Sequence, residues 1–215
     1  MSRPQQVSSE EIIKVARKHF LLKGHSASLK TISKDLGVSH SALIQRFGTK
    51  RKLLLEALRP PSHLIWTSNF LNGPPKHIDL AIEDLHQQCL LLLSFLEKHM
   101  PSISVLRAAE VTPQELFDGQ VPFPLLTLQK LSAWIESGIN QGVFRAGKPQ
   151  SVASMIMGSI FARIELHHLC VLTQECEHLP NVQPSEDLLG SMDDLMAQFK
   201  CLLNTGAPKK SCVNT

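Results

Sequence analysis

Between Ser39 and Lys50 the sequence sets His40, Ser41, Ala42, Gln45 and Arg46 around two apolar residues, Leu43 and Phe47. On a helix, Leu43 and Phe47 fall to one side and the five others to the opposite side. Gln45 has the geometry for a bidentate contact to adenine. Arg46 can read guanine or hold a phosphate, Ser41 can pair either way, and Ala42 and Ile44 suit a thymine methyl. Lys30, Thr49, Lys50 and the N-cap candidate Ser28 stand at helix starts and suit phosphate, because helix N-termini attract anions. Taken singly, His40 or Gln45 reads as an ordinary exposed polar residue. The spacing of the whole set is what points to nucleic acid.

A second constellation competes. His167-His168-x-Cys170, followed by Cys176 and His178, offers imidazole and thiolate, the ligands of zinc and other transition metals. It would make the chain a metal- or thiol-responsive sensor, or a helical enzyme. The spacing matches no zinc signature, and on one helix His167, Cys170 and Cys176 do not share a face. The plainer reading is buried filler and surface polar residues, so no metal ligand and no cofactor are assigned. Paired carboxylates, a Gly-rich phosphate loop and a Ser-His-Asp ordering are also missing in any supporting context, and no catalysis is expected.

The elements around the first set are short and well punctuated. Ser8 and Glu11 fit a capping box with Val7 and Ile12 as a hydrophobic staple. Ile12, Ile13, Ala16 and Phe20 then follow helical spacing until Gly24. Ser28 caps a second helix with Leu29, Ile32 and Leu36 inward. Gly37-Val38-Ser39 forms the turn into a third helix that Gly48 closes, which is a helix-turn-helix pattern. Thr49 caps a fourth helix with Leu53, Leu54, Ala57 and Leu58 as its apolar face, ended by Pro60-Pro61.

Charge divides the chain at the same place. Through Arg59 there are twelve Lys and Arg against four Asp and Glu, a net +8, whereas the remainder carries −5, giving +3 in all. A basic head on a mildly acidic body fits a polyanion-binding module joined to a different one. Hydrophobic residues at 43% supply a core. No uninterrupted apolar run reaches the roughly 18 residues that span a bilayer, and Met1–Gln6 has no signal-peptide core. The five cysteines (Cys89, Cys170, Cys176, Cys201, Cys212) are an odd count without framework spacing, as expected of reduced thiols in the cytoplasm.

Beyond Pro75 the pattern predicts a helical body without strands. Helices are expected from about Lys76 to His99, from Phe123 to Gln141 and from Gln150 to Thr173, with Pro101 and Pro113 bracketing shorter pieces. The final helix carries two adjoining apolar stripes that include Leu188, Met192, Leu195, Met196, Phe199 and Leu202. The helix before it has small residues, Ser154, Gly158, Ser159 and Ala162, flanked by Met155 and other apolar residues. Two such helices meeting their symmetry mates would bury both stripes in a four-helix bundle between subunits. The alternative is packing within one chain.

The stretch from Ser9 to Leu58 resembles the DNA-binding domain of the tetracycline-repressor (TetR) family. The resemblance rests on Gly37-Val38-Ser39, Ala42-Leu43, Phe47-Gly48-Thr49-Lys50 and Leu53-Leu54, in order and spacing. It implies an all-α chain with a three-helix helix-turn-helix domain at 1–58 and a larger ligand-binding and dimerisation domain at 59–205, before a tail at 206–215. It implies a homodimeric, cytoplasmic repressor bound to a palindromic operator and responsive to a small apolar ligand, without a membrane partner. Carried over residue by residue, phosphate and base contacts fall on Lys30, His40, Ser41, Ala42, Ile44, Gln45, Arg46 and Lys50. Ile44 departs from the family's usual tyrosine and cannot donate its hydroxyl to a phosphate. Either one backbone anchor is lost, or Arg46 and Lys50-Arg51-Lys52 compensate. Ser41, where the family often has glycine, is a milder departure. Trp66, Phe70, Cys89, Leu106, Trp134 and Met157 are among the candidate cavity linings, and each is also accounted for by core packing.

Overall fold

A computed structural model describes residues 7–61, 70–145, 147–174 and 190–204; the side chains of Leu71 and of residues 170–174 are outside the description. The described residues are helical, with no strand among them. In chain order they form α1 (Ser9–Lys23), α2 (Leu29–Asp35), α3 (His40–Phe47) and α4 (Lys50–Leu58). There follow α5 (Ile78–Ala108), α6 (Pro113–Phe117), α7 (Phe123–Asn140), α8 (Pro149–Gln174) and α9 (Met192–Asn204). The chain groups into two compact units: Met1–Ser62 with Lys98–Val121, and His63–Glu97 with Pro122–Thr215.

In the first unit each predicted N-cap residue is in place, although the Glu11 side chain does not return the bond to Ser8 that a capping box would have. The side-chain oxygens of Ser8, Ser28, Ser39 and Thr49 accept from the amides of Glu11, Lys30, Ala42 and Lys52. Each satisfies one of the donors that a helix start leaves open. Gly37, in the turn between α2 and α3, has φ of +66°, a left-handed conformation that a Cβ would strain. Ile12, Ala16 and Phe20 of α1, Ile32 of α2, and Leu43 and Phe47 of α3 meet Leu53, Leu54, Ala57 and Leu58 of α4 in one core. Leu106 also belongs to that core, so its candidacy as a cavity lining gives way to packing in the head.

In the second unit α7 packs mainly on α8, and α8 meets α9. The core there holds Trp134 and Ile135 of α7, Ile156 and Ile160 of α8, and Met196, Phe199 and Leu203 of α9. The Trp134 ring lies 5.7 Å from Phe70, edge-on, and 5.2 Å from Phe144. Gly138 permits this packing: a Cβ there would stand 2.2 Å from the Phe144 ring.

One expectation fails. Pro101 does not end a helix; α5 runs through it for 31 residues. A proline removes one helical hydrogen bond and strains the preceding turn, at roughly 3 kcal/mol. Pro101 itself is exposed, and Leu96, Met100, Ile103 and Leu106 around it are buried. Each such burial is worth about 1.5–3 kcal/mol, enough together to hold the helix. An 18-residue window of α5 reaches a mean hydropathy of 1.3, so the helix is long and apolar enough to cross a bilayer. Its buried residues, however, form a stripe at helical spacing through Ala81, Leu85, Cys89, Leu92 and Leu96. That is the pattern of a core helix packed on one side.

Candidate nucleic-acid interface

Helix α3 has two unlike sides. Leu43 and Phe47 are 1% and 7% exposed and fix the helix onto the head core. His40, Ser41, Ala42, Gln45 and Arg46 are all exposed on the remaining surface. Among the described residues, no hydrogen bond or ion pair engages the side chains of His40, Gln45, Lys30 or Lys50. Ser39 Oγ and Ser41 Oγ lie 2.9 Å apart, which turns the Ser41 hydroxyl toward the cap. Ser28 and Thr49 are likewise occupied as caps. An exposed hydroxyl oxygen that accepts from an amide still has its own proton to donate.

Three residues stand differently from the simplest expectation. Ile44 is half-buried and packs against the head core, so its branched side chain is spent on packing. Arg46 Nη1 donates to the Val7 carbonyl at 2.6 Å, tying α3 to the residue before the α1 cap. A guanidinium has five N–H donors, so Arg46 keeps others for a phosphate or a base. Arg51, in the basic run invoked to compensate for Ile44, is bound elsewhere. Its Nε and Nη2 donate to the two Glu115 carboxylate oxygens at 2.7 and 2.8 Å, and it also reaches the Ala109 and Glu110 carbonyls. Such a fork-to-fork pair is geometrically specific.

Glu115 is further held by Thr112, whose backbone and side chain both donate to it in a capping box. Arg51 first, then Thr112, hold its carboxyl at about 2, well below the ordinary value of 4.5. The reading of the sequence missed this cluster. Thr112-x-x-Glu115 is a legible capping box, but nothing local links it to an arginine 64 residues away. His19, almost buried on α1, is a second omission: its Nε2 lies 2.7 Å from an Asp35 carboxylate oxygen and joins α1 to α2.

On α8, Met155, Gly158 and Ala162 are exposed and Ser159 is half-buried. Ser154 and Ser159 turn their hydroxyls back onto the Gln150 and Met155 carbonyls, so that face offers little polar chemistry. Leu166 and Leu169, which were not singled out, extend the stripe at 45% and 57% exposure. On α9, Met192, Leu195 and Leu202 are half-buried, whereas Met196 and Phe199 are buried within the chain. Leu188 lies outside the described residues.

In the rival cluster, His167 is exposed and His168 half-buried on α8, and the Cys170 side chain is outside the description. Cys176 and His178 lie outside the described residues, among which no group of three His, Cys, Asp or Glu is placed to hold a metal ion. Phe70, Cys89 and Met157 line a small apolar cleft with room for about one water molecule. Trp66 lies outside the described residues.

Residues 12–57 match the family model for bacterial regulatory proteins of the tetR family. No curated protein matches the sequence. Among solved structures, the chain is similar to the TetR-family transcriptional regulator PfmR from Thermus thermophilus. Identity is 19%, the TM-score is 0.51, and the likeness covers 92% of this chain and 99% of that one. It is similar to a Mesorhizobium loti protein assigned to the TetR-family transcriptional regulators, at 20% identity and TM-score 0.55, covering 90% and 94%. It is also similar to the transcriptional regulator FadR from Bacillus subtilis in complex with stearoyl-CoA. There the identity is 16% and the TM-score 0.54, with 94% and 100% covered. Residues 12–57 therefore match the model of the tetR-family regulators, and the chain as a whole shares the fold of those solved structures.

Proposed function

We propose that the protein is a homodimeric repressor that binds a palindromic operator through α3 and releases it when a small apolar effector enters the body. It acts in the cytoplasm, without catalysis or a cofactor. The working division is residues 1–58 for DNA, 59–205 for effector and dimerisation, and 206–215 as a tail. The observation that carries this reading is α3 itself. Two buried residues anchor it, and His40, Ala42 and Gln45 stand exposed on its other side, within a head of net charge +8.

In this reading the N-terminal half of α3 enters the major groove, and Gln45 meets adenine. Ser41 and Ala42 approach neighbouring base edges. Lys30, Lys50 and the helix starts at Ser28 and Thr49 hold phosphates on either side. Arg46 holds a phosphate with the donors that Val7 leaves over, and Ile44 contributes packing. Pairing through the exposed stripe Met155, Gly158, Ser159, Ala162 and the half-buried Met192, Leu195 and Leu202 places two heads in successive grooves, about 34–36 Å apart. The Bacillus subtilis neighbour, of the same fold, is a regulator seen with stearoyl-CoA, which supports a small-molecule effector in the body. The effector acts by binding one head separation better than another, since only differential affinity shifts a population.

Selection of random duplexes by the purified protein tests the reading. The expected outcome is two related half-sites about one helical turn apart, with affinity falling steeply as salt rises. Enrichment of a single unpaired half-site would remove the dimer, and no enrichment at low salt would remove DNA binding.

A further inference from the structure

The first turn of α4 is an unfavourable helix start. Lys50, Arg51 and Lys52 stand there in succession, and no acidic residue accompanies them. The open amides of a helix start already carry partial positive charge, so cations gathered at that end oppose the helix. The missing carboxylate comes from elsewhere in the first unit. Glu115, on α6, takes the Arg51 fork through Nε and Nη2 at 2.7 and 2.8 Å. Its carboxyl, held at about 2, is ionised near neutral pH. Arg51 is thereby neutralised, whereas Lys50 beside it keeps its charge for another partner.

The contact extends beyond one ion pair. Arg51 also donates to the Ala109 and Glu110 carbonyls, both at 3.0 Å, just past the end of α5. Arg59, the C-cap of α4, donates from Nη2 to the Glu115 carbonyl at 2.8 Å. Segment 109–118 is therefore fastened to α4 at both ends of that nine-residue helix. Within the segment Glu110 and Asp118 have φ of +55° and +51°, a left-handed conformation that side-chain-bearing residues seldom adopt. Each lies at an arginine contact: Arg51 takes the Glu110 carbonyl, and Arg59 Nη1 stands 4.0 Å from the Asp118 carboxylate. Strain of this kind persists where surrounding bonds over-determine it, and here those bonds come from α4. An exposed ion pair adds little to stability. Holding a strained segment against one short helix suits positioning instead.

We propose that Arg51, Arg59 and Glu115 are positioning residues for DNA: by fastening α4 to segment 109–118 they hold its first turn where Lys50 meets a phosphate. The inference rests on the reading that the start of α4 contacts the DNA backbone, and adds what keeps that start in place. The three residues touch no DNA themselves. Glu115 gives the proposal its sign. A carboxylate on a DNA-binding head repels phosphate, so removing it would strengthen binding if charge alone mattered. Positioning demands the reverse.

Duplex titrations over a salt series test it, with the unaltered full chain, Glu115→Gln, Arg51→Lys and Lys50→Ala. Glu115→Gln removes the negative charge and keeps the shape. Arg51→Lys keeps the positive charge but loses the fork that spans both carboxylate oxygens. Both should bind every duplex about fivefold more weakly, with a salt slope shallower by about 1 and base preference unchanged. Glu115→Gln combined with Lys50→Ala should bind no more weakly than Lys50→Ala, because the clamp acts through Lys50. Losses that add in the double variant would overturn the inference, since a structural contact would lower affinity independently of Lys50. Unchanged or tighter binding by Glu115→Gln would also overturn it and leave the base-reading α3 standing. Arg51→Lys decides the matter by the same measurements if Glu115→Gln does not fold. No binding by the unaltered protein at low salt would remove the DNA reading and this inference together.

Discussion

Helices α3 and α8 expose opposite chemistries. α3 buries Leu43 and Phe47 and leaves polar His40, Ser41 and Gln45 in solvent. α8 buries Val152, Ile156, Ile160 and Ile164 and still leaves Met155, Leu166 and Leu169 exposed. Each helix therefore has a surplus beyond what holds it to its own core. On α3 the surplus is hydrogen-bonding capacity within a basic head, which suits a polyanion. On α8 it is an apolar stripe with small residues, which suits another helix of the same kind. What a helix exposes beyond the needs of its own packing is the better guide to its partner.

Substitutions on the two sides of α3 should part most widely. Leu43→Ala, in the head core, should lower stability by about 2–5 kcal/mol, whereas Gln45→Ala should change it by about 0.5 kcal/mol or less. Urea unfolding of both variants measures the difference, and comparable losses would mean that Gln45 is structural. In the body, Gly138→Ala should cost about 1–3 kcal/mol through the forced shift of Phe144. Thermal unfolding would show this as a lowered midpoint, and an unchanged midpoint would deny the close approach. Met155→Glu combined with Leu166→Glu should weaken self-association about tenfold or more. Sedimentation should then show monomers in which the head remains folded, and an unchanged dimer would move the interface elsewhere on the molecule.

The smallest expected effect concerns acid. The folded-state carboxyl of Glu115 lies at about 2, below its ordinary 4.5, chiefly because of Arg51 and then Thr112. A depressed value means that its contribution to stability is complete above 4.5 and fades as pH falls toward 2. Glu115→Gln should therefore flatten the acid limb of the stability profile over that interval and leave its slope above it unchanged. The pair is solvent-exposed, so the change should be slight. An unaltered acid limb would show that the bridge does not form in solution.

The head was legible almost residue by residue because its signals are local. Ser8, Ser28, Ser39 and Thr49 each precede a short apolar repeat, and all four cap the helix they were assigned to. The apolar face of α4, Leu53, Leu54, Ala57 and Leu58, is buried as spaced. Elsewhere, in the part of the first unit beyond Lys98 and in the body, the chain was less legible because the decisive interactions are distant in sequence. Pro101 reads as a helix stop until the burial of Met100, Ile103 and Leu106 is known. Arg51 reads as a free cation until Glu115 is seen to hold it. The two stripes of α9 looked equivalent, but Met196 and Phe199 are buried in the chain and Leu195 and Leu202 only partly so. Exposure of α3 was written in the sequence, whereas which apolar stripe remained uncovered was not.

The most direct test of the central claim is to measure duplex affinity across a panel of operator variants for the unaltered protein, Gln45→Ala and Lys50→Ala. The account predicts that Gln45→Ala relaxes preference at one base position per half-site by about 1–3 kcal/mol. Lys50→Ala should weaken every duplex alike and reduce the salt slope by about 1. Parallel, sequence-independent losses in both variants would contradict a base-reading α3.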